Sequence, residues 1–160
     1  MVDTPATVGQ PAPAFTLSNQ HGQKISLTDL KGRWVVLYSY PKDDTPGCTK
    51  EACQFTSAMN DFADLNAVVL GVSADSPADH LAFIQKFDLK IDLLSDQSKQ
   101  MLQSYGLWQE KQRDGKSYMG VDRQTFVIDP QGNLAFHWPK VEPDGHADTV
   151  RKKLAALASP

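Results

Sequence analysis

Apolar and polar positions change period several times along the chain, and each change marks an element. Trp34-Val-Val-Leu-Tyr-Ser-Tyr40 and Ala67-Val-Val-Leu-Gly-Val-Ser73 are nearly unbroken apolar runs rich in β-branched residues, the composition of strands covered on both faces. Between them Ala52, Phe55 and Met59 recur at helical spacing, which predicts a helix from about Pro46 to about Leu65. Ser76-Pro77 supplies an N-cap and a proline at the first helical position, Asp79 follows in the first turn, and Leu81, Ile84 and Phe87 share one face of a second helix. Leu93-Leu94 predicts a short strand, and Met101, Leu102 and Tyr105 a helix ended by Gly106. The clearest hairpin is Thr125-Phe-Val-Ile-Asp129, the turn Pro130-Gln-Gly-Asn133 and Leu134-Ala-Phe-His-Trp138. A closing helix over about 145–158 carries Val150, Leu154 and Leu157 at helical spacing. At the other end, residues 1–13 hold three prolines and no periodicity and read as an extended arm. Phe15-Thr-Leu17 and Lys24-Ile-Ser-Leu27 flank a polar turn with a glycine, which predicts a hairpin, and Thr28–Gly32 has room for one helical turn. Residues 109–122 are polar and read as a loop.

This order of elements predicts an α/β protein: a mixed central sheet flanked by helices, parallel strands in the middle and the hairpin from residue 123 adding antiparallel ones. It is the pattern of a thioredoxin-like fold with an N-terminal β-hairpin extension. At 160 residues and 41% hydrophobic, the chain 1–160 is the size of one domain with one core. The net charge of −3, with both signs mixed, leaves no basic stripe and so no nucleic-acid partner. The first ten residues lack a cationic and an apolar export segment, and no apolar run approaches membrane-spanning length. A cytoplasmic protein that meets small molecules or another protein, and no membrane, is expected. There is no Gly-rich phosphate loop, and no metal, haem, flavin or nucleotide cofactor is expected.

The chemistry concentrates in Ser39-Tyr-Pro-Lys-Asp-Asp-Thr-Pro-Gly-Cys-Thr-Lys-Glu-Ala-Cys53. Pro41 stops the strand, a polar loop follows, Thr45 suits an N-cap and Pro46 the first helical position, so Cys48 falls in the helix's first turn. Unpaired N–H groups and the positive end of the helix dipole favour the thiolate there, which is the nucleophilic form. The alternative is a free cysteine packed as a small hydrophobe; the polar flank Lys42–Gly47 argues instead for a sulfur within reach of solutes. Cys53 lies five residues on. In one regular helix two such Cα atoms stand about 9 Å apart, whereas a disulfide requires about 7 Å or less. A bond between them therefore requires the first turn to unwind. The spacing is not of the C-x2-C type and none of His21, His80, His137 and His146 is near in sequence, which argues against zinc. In a reducing cytosol such a pair reads as catalytic rather than as a structural bridge.

With Pro41-x3-Thr45-x2-Cys48 written out, the chain resembles the peroxiredoxins, the thiol peroxidases built on the thioredoxin fold. Lys-Asp-Asp-Thr-Pro-Gly-Cys-Thr-Lys-Glu-Ala-Cys, with its second cysteine five residues later, is similar to the bacterioferritin comigratory protein or peroxiredoxin Q subgroup. The likeness runs from about Val8 to Leu157. It implies that Cys48 is the peroxidatic cysteine and Cys53 the resolving one, closing an intramolecular disulfide that a thioredoxin-like protein reduces. It further implies that Thr45 hydrogen-bonds the thiolate and the peroxide, that Pro41 shields the nucleophile and that Arg123 lies beside the sulfur; a monomer is expected. Without the resemblance, Arg123 reads as a solvated strand-edge arginine, and Glu51 fits a solvated helix face equally well. Ser39 and Thr56 depart from the subgroup, which often has an aromatic residue and an arginine there. Two other functions fit a cysteine pair: a protein disulfide oxidoreductase, disfavoured by C-x4-C where C-x-x-C is usual, and a peroxide-sensing redox switch without turnover.

Overall fold

The computed structural model describes residues 6–159; the first five residues of the expected N-terminal arm lie outside them. In chain order the elements are β1 Thr16–Ser18, β2 Lys24–Ser26, β3 Trp34–Ser39, α1 Pro46–Ser57, α2 Met59–Asp64, β4 Ala67–Ser73, α3 Pro77–Phe87, β5 Asp92–Ser95, α4 Gln100–Ser104, β6 Trp108–Arg113, β7 Lys116–Val121, β8 Thr125–Ile128, β9 Leu134–Trp138 and α5 His146–Ala158. Seven strands form one sheet in the order β2-β1-β5-β4-β3-β8-β9. The apolar runs occupy its centre, where β3 pairs parallel with β4 and β4 with β5. Antiparallel strands close both sides, β8 on β3 and β1 on β5.

Alternation along β3 divides the core into two layers. Val35 and Leu37 face one, with Phe15, Leu102, Phe126 and Ile128; Val36, Tyr38 and Tyr40 face the other, with Cys48, Ala52, Phe55, Phe83 and Val150. Gly71 stands opposite Tyr38 in the parallel ladder. A Cβ on it would come within 2.9 Å of the Tyr38 ring and 2.8 Å of Leu93, so the missing side chain is what admits the tyrosine.

Three segments differ from the expectation. The helix carrying the cysteines breaks at Ala58 (φ −96°, ψ 3°) instead of running unbroken to Leu65. Ser57 turns its hydroxyl back to the Cys53 carbonyl at 3.1 Å, a bond that tends to bend a helix, and beyond the bend Phe62 meets Phe55 with ring centroids 5.9 Å apart. Residues 108–121 are not a loop but a two-stranded hairpin, β6–β7, turning through Asp114 (φ 53°) and Gly115 (φ 75°). Asp-Gly is a hairpin signal, but these strands pair only with each other and expose most side chains, so no apolar alternation announces them. On α3 the buried residues are His80 and Phe83, with Leu81 only half buried. The face is rotated from the expected one because a polar residue, His80, occupies its centre.

Candidate active site

Cys48 is the third residue of α1, after N-cap Thr45 and Pro46, as its flanks predicted. It lies past the carboxyl end of β3, where open α/β sheets place their ligands. The polar flank misled in two respects. Cys48 is only 2% exposed and packs among Tyr38, Tyr40 and Phe55, and Asp43 is buried as well.

Arg123, on the segment between β7 and β8, reaches across the first turn. Its Nη2 donates to Cys48 Sγ at 3.3 Å, and its Nη1 donates to Glu51 Oε1 at 2.6 Å. The guanidinium is therefore no solvated strand-edge group. Gly47 makes the crossing possible, since a Cβ there would stand 3.3 Å from Arg123 Nη2 and equally close to Pro143. Glu51 is fully buried and its second oxygen, Oε2, has no hydrogen-bond partner. Burial lifts its carboxyl to about 7, against the opposing pull of Arg123. For Arg123 burial acts downward, but the charges of Cys48 and Glu51 together hold it above the ordinary arginine value. His146, whose Nε2 lies 2.8 Å from Thr125 Oγ1, is pushed down to about 4 by burial and by the nearby Arg123 charge. It stays neutral beside the guanidinium.

The other expected site residues are less engaged. Pro41 is exposed at the start of the loop. Thr45 holds the N-cap position without capping: its hydroxyl donates to the Lys42 carbonyl at 2.8 Å. Cys53 is half-buried on the next turns of α1, and both cysteines are free thiols.

Sequence reasoning missed what fixes the loop. Asp43 accepts from the Tyr40 hydroxyl at 2.5 Å and faces His80 Nδ1 at 2.6 Å, while its N–H donates to Asp75 Oδ2 at 2.9 Å. Ser73 donates to the same Asp75 oxygen at 2.6 Å. His80 Nε2 lies 2.9 Å from the Leu94 carbonyl, which only accepts, so that nitrogen carries a proton. Asp43, Asp75 and His80 are grouped as a metal site would group them; Asp43 is taken up by Tyr40 and His80, and Asp75 Oδ2 by the Asp43 N–H and the Ser73 hydroxyl. The far side of α1 is clasped by Gln54, which donates to Asp144 Oδ1 and accepts from the Gly145 N–H, both at 2.8 Å. The only sequence signal for His80 was its place at helical spacing before Phe83; for Gln54 there was none.

Residues 8–137 match the AhpC/TSA family model. The chain belongs to that family. Peroxiredoxin Bcp of Bacillus subtilis is 45% identical over 151 residues, 94% of this chain and 96% of that one. Peroxiredoxin Q of Xanthomonas campestris superposes with a TM-score of 0.89 at 37% identity, over 98% of this chain and 100% of that one. The bacterioferritin comigratory protein of the same organism, solved in connection with its alkyl peroxide reduction activity, gives 0.89 at 36% over 96% and 99%. The protein is thus a peroxiredoxin, a thiol-dependent peroxidase on a thioredoxin-like fold. Among the described residues no helix is long and apolar enough to cross a membrane.

Proposed function

We propose that Cys48 is the peroxidatic thiolate and Cys53 its resolving partner, working on hydrogen peroxide and organic hydroperoxides with a thioredoxin-like reductant. The observation that carries this is Arg123 Nη2 at 3.3 Å from Cys48 Sγ, with a second thiol on the same helix. A guanidinium in this place stabilises thiolate over thiol and meets the charge that grows on the peroxide as its O–O bond breaks. The Cys48 thiolate attacks one peroxide oxygen; the S–O bond forms, the O–O bond breaks, and the departing oxyanion takes a proton and leaves as water or an alcohol. Cys48 is then a sulfenic acid. Oxidation also discharges the sulfur, which weakens its hold on Arg123. The first turn opens, the Cys53 thiolate attacks the Cys48 sulfur, the S–S bond forms and hydroxide leaves as water. A reductant dithiol returns both thiols by exchange. A resting dithiol suits a reducing compartment such as the cytoplasm, and no step requires a second copy of the chain.

By the family likeness, Pro41 would shield the sulfur and Thr45 would hydrogen-bond the thiolate and the peroxide. With its hydroxyl on Lys42, Thr45 serves the peroxide only after rotation about χ1. Steady-state peroxide consumption with thioredoxin tests the reading. Turnover supports it; oxidation of one equivalent without turnover would favour the redox switch, and reduction of protein disulfides without peroxide consumption the oxidoreductase.

A further inference from the structure

Arg123 sits between Asp122 and Gln124, and a side chain with no part in the chemistry helps to hold both. The β3–β8 ladder ends with Tyr38 opposite Thr125, so Ser39 comes next against Gln124, one residue from Arg123. The Ser39 N–H donates to the Gln124 carbonyl at 2.9 Å, as a ladder bond should. The return bond departs from the pattern: the Gln124 N–H donates to the Ser39 hydroxyl at 3.1 Å. That hydroxyl in turn donates to the Asp122 carbonyl at 2.6 Å. Ser39 is 1% exposed, so water cannot replace these bonds cheaply. One buried oxygen therefore ties down the peptide groups on both sides of Arg123. The segment has other restraints, the Asp122 N–H to the Leu107 carbonyl at 2.8 Å, Gln124 Nε2 to Asp122 Oδ2 at 2.7 Å and Gln124 Oε1 facing His137 Nε2 at 2.6 Å, whereas the Ser39 hydroxyl engages the peptide groups on both sides of Arg123 at once. Alanine at 39 would leave the buried Gln124 N–H and the half-buried Asp122 carbonyl unpaired beside Arg123, and the segment would shift to satisfy them.

We propose that Ser39 is a positioning residue for the peroxidase reaction, its hydroxyl clamping the backbone on either side of Arg123 so that the guanidinium meets the Cys48 sulfur. The inference rests on the proposed role of Cys48. Misplacement of a catalytic group by about 1 Å costs up to about a hundredfold in rate, and a partial shift here should cost about tenfold. The test is a double-mutant cycle on the stopped-flow rate of Cys48 oxidation by hydrogen peroxide. Ser39→Ala alone should slow oxidation about tenfold and leave less thiolate at neutral pH, read by its ultraviolet absorbance. In an Arg123→Ala background the same change should cost nothing further. Ser39→Thr and Ser39→Val, nearly equal in shape and different in the hydroxyl, repeat the comparison should alanine prevent folding: threonine should exceed valine in rate. Ser39→Ala at the wild-type rate, an equal loss in both backgrounds, or threonine no faster than valine would overturn the inference. Failure of the wild-type protein to consume peroxide would instead remove the functional reading beneath it.

Discussion

Two thiols sit five residues apart on one helix in unlike surroundings. Cys48 is buried against aromatic rings under a guanidinium, in a turn that begins with Pro46 and Gly47 and lacks a side-chain cap. Glycine is a poor helix former, and this turn is held to the body by the packing of Cys48 and by Arg123. Cys53 is half-exposed, and its neighbour Gln54 is clasped to Asp144 and Gly145. The difference fits the proposed roles: the sulfur beside the cation would attack, the sulfur on the clasped turn would resolve, and the stretch between them would move. Asp43 and Gln54 mark its limits, the first through Tyr40, His80 and Asp75, the second through the loop before α5.

The largest effect should come from exchanging the attacking atom. Cys48→Ser should lower peroxide turnover on the order of a thousandfold or more, because a hydroxyl stays protonated where a thiol ionises. Near-normal turnover would assign attack to the other sulfur. Cys53→Ser should still reduce roughly one equivalent of peroxide and then stall with Cys48 as sulfenic acid, detectable by mass spectrometry; failure in the first turnover would reverse the two roles. Arg123→Ala should slow Cys48 oxidation about a hundredfold, the scale of losing one preorganised donor, and stopped-flow rates would show it.

The smallest effect concerns Glu51, which shares Arg123 with Cys48. Its carboxyl ionises near pH 7 in the folded protein, against an ordinary value of 4.5. The folded form thus keeps a proton that the unfolded chain gives up. That stabilisation is full below about pH 4.5 and is lost as pH rises through about 7, a change on the order of 3 kcal/mol. Denaturant midpoints of wild type against Glu51→Gln should therefore drift apart over this window, with wild type losing ground as pH rises. Parallel curves would place the titration elsewhere.

Much of this was legible in the chain. The apolar runs of β3 and β4, Thr45-Pro46 at the head of α1 and the hairpin turn at 130–133 are local signals, and the fold follows from their order. That Cys48 falls in the first turn of α1 and Cys53 further along it was legible from the flanking Thr45-Pro46 and the spacing. What stayed hidden depends on residues far apart in the chain. His80 meets Asp43 across 37 positions and Ser39 meets Gln124 across 85, and no local pattern records such a meeting. The polar loop Lys42–Gly47 read as solvated because Asp43's partners come from just past β3 and β4 and from α3. Arg123 was placed by resemblance alone; its spacing from Cys48 carried no signal.

Amide hydrogen exchange on the reduced and oxidised proteins tests the division of α1 most directly. Two Cα atoms about 9 Å apart in a helix cannot share a disulfide, so the oxidised form should lose protection between about Thr45 and Gln54 while β3, β4 and β8 keep theirs. Equal protection of residues 45–54 in both redox states would contradict the account, because Cys48 and Cys53 would then have to bond without the first turn opening.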